Sequence, residues 1–96
     1  MARAMKRIPL LARGQVYTEL LPAGSIVVRT GYWQGFPCAW VWMDMDAPRN
    51  WLVEFLMVAD GDRVENDAFW PVGTMQWEQT ATIWTVLTNW RKEVKE

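Results

Sequence analysis

Residues 25–46, SIVVRTGYWQGFPCAWVWMDMD, hold two strongly apolar runs joined by a short turn at Gln34-Gly35. Both runs are rich in β-branched and aromatic residues, which suit a pleated, half-buried surface, and the pair reads as a β-hairpin. In the first arm Ile26, Val28, Thr30 and Tyr32 alternate with Val27, Arg29, Gly31 and Trp33. In the second, Cys38, Trp40 and Trp42 alternate with Ala39, Val41 and Met43. Each face is largely apolar, as in a strand pair covered on two sides. On this reading Trp40 is a core residue, on a buried face shared with Cys38 and Trp42, while Arg29 and Trp33 form a guanidinium-and-ring pair on the outer face of the first arm.

The rest of the chain reads as strands laid against this hairpin. Before it, residues 4–10 form a first strand ending near Pro9, which lacks an N–H and belongs at an edge or strand end. Gln15–Leu20 alternates Val16, Thr18 and Leu20 with Gln15, Tyr17 and Glu19, a half-buried strand, and Leu21-Pro22-Ala23-Gly24 supplies the turn into the hairpin. After it, Trp51–Val58 is a third apolar run whose Trp51, Val53, Phe55 and Met57 face inward. Residues 60–67 form a solvated turn: their acids do not fit a calcium loop, because Val64 stands at a ligand position and no glycine follows it. Phe69–Trp77 contains Pro71 and Gly73 and reads as an irregular edge strand. Residues 80–90 also fit helical spacing, but their β-branched residues favour a strand, with the charged tail at 91–96 fraying or ending in a short helical turn. The expected fold is one all-β, mainly antiparallel domain over residues 1–96, a small sandwich or partly open barrel of six or seven strands.

Composition narrows the function. The 96 residues carry eight tryptophans and a formal net charge of −1. Each indole can bury on the order of 150–250 Å², more than so small a domain can hide, so part of the ring surface is expected at an interface and the chain is expected to self-associate. Residues 1–13 hold four basic residues, Arg3, Lys6, Arg7 and Arg13, and no acid. They read as a solvated terminal strand rather than an arm for nucleic acid.

Histidine is absent, which rules out Ser-His-Asp and Cys-His constellations and removes the commonest transition-metal ligand. No Gly-rich phosphate loop occurs. The carboxylate pairs Asp44/Asp46 and Asp60/Asp62 would need a deep substrate cleft and one carboxyl with a raised pKa for glycoside chemistry, which a domain this small seldom supplies. We therefore expect no enzyme, no metal and no cofactor. A single cysteine, Cys38, suits a reducing compartment, and no run reaches the length of a membrane span. A cytoplasmic protein is expected. What remains is binding, for which Trp and Arg are the favoured residue types. The candidate site is Arg29 and Trp33 with the Arg49-Asn50 loop at the hairpin's far end.

Leu21-Pro22-x-Gly24-x-Ile26, then Gln34-Gly35-x-Pro37-Cys38-x-Trp40, then Asp44 or Asp46 before Ala47, resembles a family of very small phage and prophage proteins of unknown function. That family reads L-P-x-G-A-x-I, then Q-N-G-x-P-C-x-W, then V-D. Ile8-Pro9-Leu10 and Val72-Gly73-Thr74-x-Gln76 extend the likeness over nearly the whole chain. Trp33-Gln34-Gly35 replaces the family's Asn-Gly turn, and Met57-Val58-Ala59-Asp60 stands where members carry G-T-G-H, so no ligand role transfers to that segment. The resemblance implies a compact β protein of phage origin acting in the bacterial host cell, and assigns no catalytic residue. The leading expectation is an inhibitor of an anti-phage defence system, anti-CRISPR-like, that binds a host defence protein. A second is an oligomeric sponge that traps a signalling nucleotide with Arg29 or Arg49 at the phosphate end. A third is a virion or assembly component.

Overall fold

In a computed structural model that describes residues 2–77 and 82–91, Gln34 and Gly35 both take positive φ, 49° and 83°. This is the two-residue turn whose twist matches a right-handed strand pair. The chain forms seven strands: β1 (Arg3–Pro9), β2 (Tyr17–Leu21), β3 (Ile26–Trp33), β4 (Phe36–Asp44), β5 (Trp51–Ala59), β6 (Trp70–Gln76) and β7 (Ile83–Arg91). They make two sheets, ordered β1-β4-β3 and β2-β5-β7-β6, and every neighbouring pair is antiparallel. The architecture is an open sandwich rather than a barrel. The last strand settles the helix-or-strand ambiguity at 80–90 as far as Ile83–Arg91, and the tail at 92–96 lies outside the described residues.

Small and medium side chains fill the space between the sheets. Ile8, Leu21, Ala39, Val41, Val53, Phe55 and Val86 are buried there, joined by Met43, Met57 and Met75. Two side-chain contacts close the sandwich at its corners. On one side Lys6 Nζ of β1 lies 3.0 Å from Glu19 Oε2 of β2. On the other, the Thr30 hydroxyl of β3 donates to the Thr74 carbonyl of β6 at 3.0 Å. Gly73 permits that approach, because a Cβ there would stand 2.5 Å from Thr30 Oγ1.

The far face of the second sheet is covered by the 60–69 loop, whose Val64 and Phe69 pack on Leu56, Val58 and Leu87. Asp62 anchors the loop. Its Oδ2 accepts from Arg13 Nε at 2.8 Å and from the Ala59 N–H at 2.9 Å, so its acidic chemistry serves the fold. The Arg13 guanidinium, and after it the Ala59 N–H, hold the Asp62 carboxyl below the usual carboxylate range. A depressed folded value means that the anchor is complete above pH ~4, the ordinary carboxylate region, and weakens as pH falls through the lower folded value. Protection of the 60–69 amides, taken as exchange relative to the intrinsic rate at each pH, is therefore expected to fall on acidification below pH ~4, and in Asp62→Asn it should be low and independent of pH. Protection that stays constant with pH in the parent protein would count against the anchor.

The structure decides one face that alternation left open, in β2, and corrects another, in the hairpin. In β2 the inward residues are Tyr17, Glu19 and Leu21, and Val16 and Leu20 are exposed; Leu21, fully buried at the strand end, sets the parity. In the hairpin the inward face of β4 is Ala39, Val41 and Met43, while Trp40 is only half-buried and Trp42 is exposed. Sheets pack about 10 Å apart, and the second sheet already fills much of that space with Trp51, Phe55, Trp84 and Trp90, so β4 opposes them with the smaller Ala39, Val41 and Met43. A bulge between Val27 and Arg29 adds one residue to β3, so Val27 pairs with inward Val41 and Ile26 with outward Trp42.

Candidate binding face

Because β4 is the middle strand of its sheet, its outward side chains lie between outward side chains of β1 and β3. The registers define successive rungs: Met5, Trp42 and Ile26; then Arg7, Trp40 and Arg29; then Pro9, Cys38 and Gly31; and finally Phe36 with Trp33 at the turn. Arg3 opposes Asp44 at the other end. Strands stand ~4.8 Å apart and same-face residues repeat every ~6.8 Å, so the rings form a flat, closely spaced array.

Two guanidiniums lie on indoles in this array. Arg29 Cζ is 5.3 Å from the Trp40 ring centroid, and Arg7 Cζ is 4.7 Å from that of Trp33. Among the described residues neither arginine is paired with a carboxylate. The Arg7–Trp33 contact has to cross over β4, and the residue midway between their rungs is Cys38. That explains how Cys38 points outward and is still only 3% exposed. Burial pushes its thiol up, with the Arg7 charge and a Trp33 backbone hydrogen bond acting in the opposite direction.

Apolar surface surrounds the two stacks. Met5, Ile26, Val28, Trp33, Phe36 and Trp42 are all exposed, Phe36 at 70% and Trp33 at 45%. The face carries three arginines and one acid, leaving seven of the ten basic and ten of the eleven acidic residues elsewhere in the chain. The basic N-terminus accordingly divides by function. Lys6 and Arg13 make ion pairs, and Arg7 projects onto the face through strand alternation, with Arg3 opposite Asp44 at its end.

Arg29 and Trp33 therefore share the predicted face, each stacked with a different partner. The Arg49-Asn50 loop is distant from Trp33. It follows the opposite end of β4, beside the turn where the Ala23 N–H donates to Pro48 O at 2.9 Å, about 30 Å along the strand. Arg7, Trp40, Trp42 and Phe36 were not singled out from sequence as binding residues. The alternation Arg3, Met5, Arg7 was visible, but nothing in it identified β4 as the neighbour. On the opposite side of the sandwich, an open cavity of about 360 Å³ is lined by Arg13, Gly14, Leu56, Val58, Asp62 and Arg63. Among the described residues no group of three or more Cys, Asp or Glu side chains is placed to hold a metal ion. No family model, curated protein or solved structure matches this chain.

Proposed function

We propose that this chain is a non-catalytic phage accessory protein that inhibits a bacterial anti-phage defence system by occupying one of its components, with the outer face of the β1-β4-β3 sheet as the contact surface. The observation that carries the surface is the pair of guanidinium–indole stacks, free of carboxylate partners among the described residues and set among exposed apolar side chains. Such rings and guanidiniums bring contact area and charge together at a partner. The phage setting comes from the L-P-x-G and G-x-P-C-x-W resemblance. The nucleotide-sponge reading draws less support, because the rings lie side by side on an open face and Arg49 is about 30 Å from Trp33.

The chain, expressed in bacteria whose CRISPR–Cas or other defence restricts a test phage, is expected to raise that phage's plating efficiency. Arg7→Gln/Arg29→Gln, which changes two exposed side chains, is expected to abolish the rise while the protein stays folded, its cooperative thermal transition lowered only by the loss of two exposed cation–π contacts. No rise against any defence in a panel, or an equally active double variant, overturns the proposal.

A further inference from the structure

We infer that the occupant of the β1-β4-β3 face is a short run of single-stranded nucleic acid, the nucleic-acid component of the system that the proposed function blocks. The inference rests on that function's choice of surface and adds the chemistry of the ligand. Three features of the face select it. Trp42 and Phe36 present exposed rings along one flat sheet, and the Arg29–Trp40 and Arg7–Trp33 stacks lie beside them; every unpaired base has a π-face to lay on a ring or on a guanidinium plane whatever its sequence. Arg7 and Arg29 lie among those rings rather than at one end, where a strand that stacks on the rings brings its phosphates. Third, the face is open, so it supports a strand from one side and does not enclose a mononucleotide as small-ligand sites do.

Charge counts against a second copy as the occupant. Placed face to face, two copies would bring Arg7 and Arg29 of each together, four guanidiniums with no carboxylate partner among the described residues, the like-charge arrangement that interfaces avoid. Paired DNA would leave the rings unused, because its bases are already stacked on each other.

The test is fluorescence anisotropy of 5′-labelled dT12 and rU12 with the intact protein. We expect binding of one or both single strands at 50 mM salt and at least tenfold weaker binding of a 12-base-pair duplex. Engagement of two phosphates, by Arg7 and Arg29, predicts a salt slope of about −1.4, or roughly a 7-fold loss of affinity between 50 and 200 mM salt. Arg7→Gln/Arg29→Gln should lose most of that slope, and Trp42→Leu should weaken binding about fivefold or more. Comparing dT12 with rU12 shows which sugar is preferred. No binding of either strand at 100 μM protein, equal binding of the duplex, or displacement by an oligoglutamate peptide as effective as unlabelled dT12 overturns the inference, the last in favour of an acidic protein partner. A dimer that the double variant dissociates overturns it in favour of self-association through this face. The two proposals also fail differently. If the double variant loses defence inhibition while the parent binds no single strand, the ligand is wrong and the surface stands. If the double variant still inhibits, the surface itself is wrong.

Discussion

Phe55→Ala is expected to cost about 3–5 kcal/mol of folding free energy, and Trp40→Ala, which removes a larger ring from the hairpin, only about 1–2 kcal/mol. Phe55 is 1% exposed and is the largest fully buried side chain. It lies on the inward face of β5 between Val53 and Met57, with Tyr17 of β2 and Thr88 of β7 on its flanking rungs. Truncation there leaves a cavity that two hydrogen-bonded sheets cannot easily collapse to fill. Trp40 stands on the outer face, half in water, stacked by Arg29. Its loss removes one cation–π contact and part of one ring's burial, and creates no enclosed void. Domains of this kind are stable by roughly 5–15 kcal/mol, so Phe55→Ala should shift the urea midpoint strongly and Trp40→Ala modestly. Equal shifts, or a larger one for Trp40, would show that the hairpin's inward and outward faces have been exchanged.

That same exchange marks the limit of what the sequence disclosed. Gln34-Gly35 identified the turn, Trp51–Val58 identified both a strand and its inward face, and β-branching at 80–90 favoured a strand over a helix; each is a local signal, and the structure agrees with each. The faces of the hairpin were less legible because both are apolar, so alternation alone could not say which one packs. On sequence the face of Trp40, Cys38 and Trp42 reads as core, whereas Ala39, Val41 and Met43 pack inward, opposite a second sheet that supplies the large rings of Trp51, Phe55, Trp84 and Trp90. The bulge at Val28 then shifts the parity of β3, and no local sequence feature announces it. For the candidate site, Arg29 and Trp33 could be picked out by residue type. Their partners Trp40 and Arg7 could not, because the Arg7–Trp33 stack exists only when β1 and β3 flank β4, a long-range pairing that no window of sequence contains.

Cys38 provides an independent check on that pairing, since alkylation of its thiol by iodoacetamide at pH 7.5 is expected to be at least ~100-fold slower in the native protein than in the denatured chain. Two causes act together. The thiol is nearly inaccessible under the Arg7–Trp33 stack, and burial pushes it up, which lowers the fraction present as the reactive thiolate. Trp33→Ala should open the site and raise the rate about tenfold or more without global unfolding, because Trp33 is itself 45% exposed and outside the core. Arg7→Ala uncovers the same sulfur but also removes the positive charge that favours the thiolate, so its acceleration should be smaller than that of Trp33→Ala at pH 7.5. The gap should narrow at pH 9–10, where the thiolate forms without that charge. Rates that are fast in the parent protein, or identical in parent and Trp33→Ala, would mean that the stack does not cross β4 at Cys38.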